Sequence, residues 1–314
     1  RGIALLGILI VNILVFHAPY AHYGEVYGSY EGTEGIIMHM ILNYAGGKFL
    51  FIFAFLFGYG ISMQQRSHGA NFSRYFTRRM ASLALFGALH ILLFWFGDIL
   101  LSYALLGLMT LSFLRLSNTD ILVAGLFFIF FRPIYYIGVL IFGLPLLGGE
   151  APATLEVFYQ TFQEGSYFDI LRFRMQEFIW FIPENLIWYI PKTWGLFFFG
   201  IYAHRTNILE RFSKANSFSI LWILFLVGQS IVWNSFKMQW FTTFDLAAQP
   251  WWRPILIAIN VSSETLQGFG YITGYMLLFN LSASFTKSFA PIGRMALTNY
   301  ITQSLLCILI FYGF

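Results

Sequence analysis

Charged residues and cysteine are scarce in this sequence of 314 residues. Only 10% of the residues are charged, whereas ordinary soluble domains carry about 25%. With so few charges the chain lacks the polar surface that a soluble globular protein needs, so that class is excluded. The single cysteine, Cys307, excludes an internal disulfide, and thiols therefore do not indicate the compartment.

Motifs of several common chemistries are also missing. The sequence has no Ser-His-Asp order, no phosphate-binding glycine loop and no zinc-ligand spacing. Its net charge of +4 does not indicate nucleic-acid binding, because the basic residues lie beside apolar segments. We therefore expect no metal site, no permanently bound cofactor and no nucleic acid among the partners.

Apolar and aromatic residues dominate instead, with 58% hydrophobic residues and 38 phenylalanines. In Gly47–Gly60, which reads GKFLFIFAFLFGYG, phenylalanine occupies every second position from Phe49 to Phe57, as on a strand. The intervening residues are equally apolar, whereas strands of a membrane barrel alternate apolar with polar residues. This stretch is therefore predicted to be a membrane helix.

Apolar segments long enough to cross a membrane recur along the whole chain, since a span needs roughly 20 residues. They predict an all-α, polytopic transmembrane helix bundle of about nine spans, with residues 1–314 forming a single transmembrane domain. The chain opens on Arg1 without a methionine and ends in an apolar run, so we expect truncation at both ends. The predicted spans lie near residues 2–18, 36–63, 76–96, 98–114, 120–147, 186–203, 217–236, 254–280 and 291–314. We expect a break at Gly46-Gly47 and a kink at Arg132-Pro133.

Basic residues set the expected orientation, because they accumulate on the cytoplasmic side of membrane proteins. A cytoplasmic amino terminus gives eleven basic residues inside and four outside. The eleven are Arg1, Arg66, Arg74, Arg78, Arg79, Arg115, Arg205, Arg211, Lys214, Lys287 and Arg294, and the four are Arg172, Arg174, Lys237 and Arg253. The segment 148–185 then lies outside the cytoplasm, as a covering loop or as one or two amphipathic helices on the membrane surface.

Lys48 and Asp98 are the ionisable residues of greatest interest within or beside the spans. A charged group inside a membrane costs at least a few kcal/mol unless it is paired, hydrated or near an interface. Lys48 either extends toward the headgroups or faces a polar cavity in the bundle, and we expect it to face the bundle interior, because a glycine pair precedes it and acidic residues lie at the outer face. Asp98, at the outer end of the third and fourth spans, is a candidate partner for Lys48, and both are candidate substrate-binding residues.

The first span carries polar candidates near its outer end. Asn12 is the one strongly polar side chain in this span, and buried asparagines often serve helix packing. His17 and His22 follow, and histidine transfers protons near neutral pH. Both histidines, together with Asn12, are candidate catalytic residues.

Two further polar sites lie in the third and last spans. His90 lies within the third span, where a structural hydrogen bond is the simpler interpretation. Arg294, Thr298, Asn299 and Gln303 form a polar ridge at near-helical spacing on the last span. We expect this ridge to face protein, and Arg294 and Asn299 are candidate substrate-binding residues.

Four segments together resemble the YeiB family of bacterial inner-membrane proteins, whose function is unassigned. They are RGIALLGILIVN at Arg1–Asn12, GKFLFIFAFLFGYG at Gly47–Gly60, GDILLSYALLG at Gly97–Gly107, and APIGRMALTNYITQS at Ala290–Ser304. The resemblance extends from one end of the chain to the other and implies a multi-pass protein of the inner membrane.

That family is distantly similar to membrane acyltransferases such as heparan-glucosaminide acetyltransferase. The resemblance implies transfer of an acyl group from cytosolic acyl-CoA to an extracytoplasmic sugar or lipid acceptor. Those enzymes begin their first span with R-G-I-A-L, carry an asparagine at the place of Asn12, and follow it with a histidine. The similarity therefore implies that His17 is the general base and Asn12 its partner, with His22 as the competing base.

Three functions remain open from the sequence. Acyl transfer needs cations for the phosphates of acyl-CoA, and Arg74, Arg78 and Arg79 at the start of the third span supply them. A transporter or lipid translocator would instead use a polar path, for which Lys48, Asp98 and Arg132 are the candidates. The third alternative is a non-catalytic scaffold, and membrane lipid is a partner in every case.

The orientation is testable at the loop that joins the second and third spans. We expect Ser67→Cys to resist an impermeant maleimide added outside intact cells, because this loop is cytoplasmic. Labelling of that cysteine from outside would contradict the orientation.

Overall fold

The computed structural model describes residues 1–145, 152–212, 217–243, 250–282 and 287–311, and these residues form α-helices without any β-strand. The predicted all-α architecture is therefore confirmed. The helices in the amino-terminal half are α1 (Gly2–His17), α2 (Tyr23–Gly28), α3 (Gly32–Met40), α4 (Lys48–His68), α5 (Phe72–Leu93), α6 (Leu100–Thr110), α7 (Asn118–Ile129) and α8 (Phe131–Phe142). Those that follow are α9 (Leu155–Glu164), α10 (Tyr167–Ile187), α11 (Tyr189–Thr206), α12 (Ile208–Phe212), α13 (Ser217–Thr243), α14 (Trp252–Leu281), α15 (Ala290–Arg294) and α16 (Ala296–Phe311).

The phenylalanine-rich stretch is helical, as predicted, and its alternation distributes aromatic rings over different faces of α4. Phe51 and Phe55 are buried and meet the ring of Phe269 on α14 edge to face, at centroid distances of 5.3 and 5.9 Å. Phe53 and Phe57 instead lie against Tyr103 of α6, at 5.9 and 5.2 Å. Because a helix turns by about 100° per residue, every second residue changes face, and α4 contacts neighbours on several sides.

Glycines allow α4 and α11 to pack backbone against backbone at the centre of the bundle. A Cβ added at Gly58 would lie 2.1 Å from the carbonyl oxygen of Phe197, and one added at Gly200 would lie 2.1 Å from that of Phe55. Small residues at helix crossings bring backbones together in membrane proteins, where packing replaces the hydrophobic driving force. These two glycines therefore fix the distance between α4 and α11.

Both predicted helix interruptions occur. The first lies at the expected glycine pair, and the second lies a few residues earlier in the chain than expected. The chain breaks at Gly47, whose φ of 72° lies in the left-handed region that glycine tolerates. The fifth predicted span bends by 60° between α7 and α8, after Ile129 rather than at Arg132-Pro133. A proline ring clashes with the carbonyl four residues earlier, which for Pro133 is that of Ile129, so the bend precedes the proline.

The last predicted span is also interrupted, because Met295 separates α15 from α16. Arg294 therefore does not share a helix with Asn299. Arg294 and Thr298 are exposed, whereas the Asn299 side chain donates a hydrogen bond to the Ile292 carbonyl at 3.0 Å. The expected continuous polar ridge that faces protein is wrong for Arg294 and Thr298.

Length and composition identify candidate membrane spans within the described residues. The helical run Gly32–Leu93 and the segment Ser219–Lys237 are long and apolar enough to cross a membrane, and α7 with α8 makes a third candidate if they form one bent span. Shorter apolar helices occur at Gly2–Leu14, Leu100–Phe113 and Ala296–Phe311. Within the described residues, each of the nine predicted segments is mostly helical, but nine membrane crossings and the orientation stay predictions.

The segment 148–185 contains helices, although residues 148–151 lie outside the described ranges. Thr154 caps α9, and Ser166 with Asp169 forms a reciprocal capping box at the start of α10. The α10 helix attaches to the turn after α5, because the Tyr167 hydroxyl donates to the Leu93 carbonyl at 2.6 Å. We refer to α9 and α10 as the α9–α10 cap.

Replacing Gly200 by alanine should destabilise the bundle, because the new methyl group would overlap the backbone of α4. Overpacking of this kind costs about 1–3 kcal/mol. We expect Gly200→Ala to lower the temperature at which the detergent-solubilised protein loses its monodisperse elution peak. Gly228→Ala on α13 is the matched control, since an added Cβ there meets no atom within 4 Å. Equal thermal stability of the two variants would contradict the close helix contact.

Candidate functional site

A cavity of about 230 Å³ lies between α4, α5, α6 and α16. Its walls are largely apolar, and polar groups concentrate at its ends. Gln64 lines one end and Phe53 the other, and their separation of eleven residues on α4 corresponds to about 16 Å along the helix axis. The two ends of the cavity are therefore far enough apart to lie in chemically different surroundings.

The end near Gln64 is cationic. Arg79 donates a hydrogen bond to the Gln64 side chain at 2.7 Å, and Arg1 donates to the Leu56 carbonyl at 3.3 Å. Arg1 and Arg79 are close enough to repel each other. Two cations and an amide at one opening form a site that favours an anion.

A surface depression continues from this opening along α5. It is lined by Arg74, Arg78, Arg79 and Ser82, and it shares Arg79 and Ser82 with the cavity. The three arginines predicted as a phosphate site therefore lie together at the mouth of an apolar cavity. The sequence indicated this cluster, but it did not indicate the cavity beside it.

Tyr103 and Tyr300 line the opposite end of the cavity. The Tyr300 ring lies 5.3 Å from the ring of His90, measured between centroids. His90 Nδ1 in turn lies 3.0 Å from Asp98 Oδ2, and the two side chains are 1% and 0% exposed. The far end of the cavity thus adjoins a buried histidine and carboxylate.

Asp98 is held in place by the backbone around it. Its Oδ1 atom accepts a hydrogen bond from the Leu101 amide at 2.8 Å, at the start of α6. A Cβ added at Gly87 on α5 would lie 2.9 Å from this same oxygen and 2.4 Å from the Leu101 nitrogen. The absence of a side chain at Gly87 therefore lets α6 bring Asp98 close to α5.

Lys48 belongs to a different cluster and does not pair with Asp98. Lys48 is buried in the bundle, with 5% of its surface exposed, and interacts electrostatically with Glu264. Lys192 donates to one oxygen of Glu264 at 2.5 Å, and Asn260 donates to the other at 2.9 Å. The expected Lys48–Asp98 pair is wrong, because His90 lies beside Asp98 and Glu264 attracts Lys48.

The polar residues of the first span are not brought into one site by the backbone. The α1 helix continues through His17, so the backbone positions of Asn12 and His17 are about 140° apart around its axis. His22 lies beyond α1, where its Nε2 is 2.9 Å from the Ala153 carbonyl and its Nδ1 is 3.1 Å from Glu25. The bond to Ala153, with that to Glu25, raises the pKa of His22. Both ring nitrogens of His22 are engaged.

Glu177 is buried where the α9–α10 cap meets the end of α1. It is 3% exposed, and its carboxylate accepts a hydrogen bond from the Tyr20 amide at 3.3 Å. Burial raises the pKa of Glu177 to about 7, against the Tyr20 hydrogen bond and the charges of Arg174 and His22. Arg174 also donates to the Phe94 carbonyl, so the cap covers the turn just beyond His90.

Comparison with known proteins supports the resemblance. Residues 203–314 match the family described as protein of unknown function DUF418. The chain is 27% identical to the uncharacterized protein YxaH of Bacillus subtilis, and the alignment covers 100% of this chain and 80% of YxaH. It is 28% identical to the uncharacterized protein YeiB of Escherichia coli, over 99% of this chain and 82% of YeiB. The resemblance to YeiB is therefore confirmed, and no solved structure matches the chain.

Glu177 should make stability depend on pH. Its folded pKa of about 7 exceeds the ordinary value of 4.5, so the folded state binds a proton more tightly than the unfolded state. The resulting stabilisation is fully present below pH 4.5 and is lost as the pH rises through 7, by about 3 kcal/mol in total.

Glu177→Gln removes this titration while keeping an acceptor for the Tyr20 amide. We expect the variant to be more thermostable than the parent at pH 8 and equal to it at pH 5. Glu164→Gln changes an exposed carboxylate of α9 and is the matched control. The interpretation is wrong if Glu177→Gln and the parent protein lose stability equally between pH 5 and pH 8.

Proposed function

We propose that this chain, a relative of the YeiB proteins, is a multi-pass protein of the bacterial inner membrane. Its function is to transfer an acyl group from cytosolic acyl-CoA to an extracytoplasmic sugar or lipid acceptor. The observation that carries the proposal is an apolar cavity with arginines at its mouth and a buried histidine–carboxylate pair beside its far end.

The proposed topology has about nine spans and a cytoplasmic amino terminus. In this orientation α5 begins at the cytoplasmic side with Arg74 and ends near the outer side after His90. Its 22 residues extend over about 33 Å, close to the thickness of the hydrocarbon layer. One helix therefore supplies both the cations for a cytosolic donor and a histidine near the outer side.

The size of the cavity suits part of acyl-CoA rather than the whole molecule. Pockets for complete drug-sized ligands have volumes of about 300–1,000 Å³, and this cavity has about 230 Å³. The acyl thioester and the narrow arm that bears it would occupy the cavity. The phosphates would stay in the surface depression, where Arg74, Arg78 and Arg79 donate charge-assisted hydrogen bonds.

The residues considered for a transport path have separate partners. Asp98 lies beside His90, Lys48 is attracted by Glu264, and the Arg132 guanidinium lies 5.5 Å from the centre of the Trp188 ring. A polar path through Lys48, Asp98 and Arg132 would need contacts among them. Acyl transfer is therefore the better supported proposal.

Removing the arginines should weaken donor binding without unfolding the protein, because all three side chains are exposed. A hydrogen bond to a charged group contributes about 1.5–3 kcal/mol. We expect the triple variant Arg74→Gln/Arg78→Gln/Arg79→Gln to raise the Kd for acetyl-CoA at least about tenfold. Binding to the purified protein and release of free CoA are the measurements.

Arg115→Gln is the matched control, since Arg115 is exposed and would lie on the same side of the membrane. It should leave the affinity for acetyl-CoA unchanged. The proposal fails if the parent protein neither binds nor cleaves acetyl-CoA. Equal affinities of the triple variant and the control would reject the arginine site alone.

A further inference from the structure

The pair His90–Asp98 contains buried polar atoms without hydrogen-bond partners, at a place where they are costly. Nδ1 of His90 lies 3.0 Å from Asp98 Oδ2 but outside hydrogen-bond geometry, and Nε2 is likewise buried without a hydrogen-bond partner among the described residues. Leaving a buried polar group unpaired costs about 1–3 kcal/mol. A purely structural histidine would be expected to hydrogen-bond through its ring nitrogens, so Nε2 is available for another molecule.

The position of His90 on α5 relates this atom to the cavity. Arg79, Leu83 and Phe86 line the cavity, and His90 follows Phe86 by four residues. At about 100° per residue these four positions fall within roughly 60° of one another, on a single face of the helix. The face that borders the cavity therefore continues directly to His90.

Tyr300 separates His90 from the open part of the cavity. It lines the cavity, and its ring contacts the imidazole ring of His90. A thioester at the far end would lie against Tyr300, with the imidazole ring of His90 on the other side of this one side chain. The cavity and the histidine thus have the arrangement of a substrate site and a base behind a single aromatic ring.

We infer that His90 is the general base of the proposed acyl transfer and that Asp98 is its positioning residue. This inference rests on the proposed function. Asp98 Oδ2 lies 3.0 Å from Nδ1, so a small reorientation of the imidazole would form the hydrogen bond that keeps the proton on Nδ1 and leaves Nε2 free to accept another, as in hydrolases with a histidine–aspartate pair. The family resemblance instead points to His17 or His22 for this role.

The proposed reaction transfers one acyl group and one proton. The acceptor hydroxyl or amine loses its proton to Nε2 of His90 while its oxygen or nitrogen attacks the thioester carbonyl. The new C–O or C–N bond forms as the C–S bond breaks, and the proton then passes from Nε2 to the CoA sulfur. CoA leaves as the free thiol, and His90 returns to its starting state.

His90→Gln tests the assignment, because glutamine preserves volume and hydrogen bonding but cannot take the proton. General base catalysis contributes about 10²–10⁴ in rate. We expect kcat for acyl transfer to fall at least about a hundredfold while the Kd for acetyl-CoA stays unchanged. His39→Gln, which alters an exposed histidine on α3, should change neither quantity.

Asp98→Asn is the second variant, and it tests the roles of His90 and Asp98 if His90→Gln does not fold. Loss of the carboxylate should lower kcat at least about tenfold and alter the pH dependence of kcat, with Kd unchanged. A merely structural pair would not change the pH profile of a folded variant.

The inference is overturned if folded His90→Gln keeps more than about one hundredth of the parent kcat, or if Asp98→Asn is kinetically normal. These outcomes leave the proposed function intact as long as the parent protein cleaves acetyl-CoA. If the parent protein does not bind acetyl-CoA, the proposed function itself fails, and the inference fails with it.

Discussion

The cost of burying charge governs how polar groups are distributed in this bundle. An ionisable side chain removed from water costs several kcal/mol unless an opposite charge or hydrogen bonds compensate. The described interior follows this rule in two places, since Asp98 lies beside His90 and Glu264 bonds to Lys192. Because these two carboxylates each have a cationic or ionisable neighbour on another helix, they also fix which helices meet. Nε2 of His90, which has no hydrogen-bond partner among the described residues, departs from this pattern, and the proposed role as general base would give it one.

Close helix packing and the candidate site depend on each other. Gly58 and Gly200 bring α4 against α11, which fixes the wall of the cavity formed by the phenylalanines of α4. Gly87 likewise allows α5 and α6 to approach each other closely, because the side chain of any larger residue at this position would displace Asp98. A site of this kind needs rigid helices, because a misplacement of about 1 Å is enough to lower a catalytic rate strongly.

The helices could be predicted from local sequence, because the length of an apolar segment and a break at glycine depend on only a few neighbouring residues. The break at Gly47 and the prediction of a helix for the phenylalanine-rich stretch are examples. Proline was harder to interpret: Pro19 forces only Ala18 into an extended conformation, with φ −144° and ψ 153°, so α1 persists through His17. Asn12 and His17 therefore lie on one continuous helix.

The contact between His90 and Asp98 could not be predicted from spacing. The two residues are eight positions apart, but α5 ends at Leu93 and α6 begins at Leu100, so no helical periodicity relates them. The contact follows from tertiary packing.

A structure of the protein with a non-cleavable acetyl-CoA analogue is the decisive measurement. We expect the phosphates to lie among Arg74, Arg78 and Arg79 and the acyl end to lie against Tyr300. An analogue bound elsewhere, or a cavity filled only by a lipid chain, would contradict this expectation.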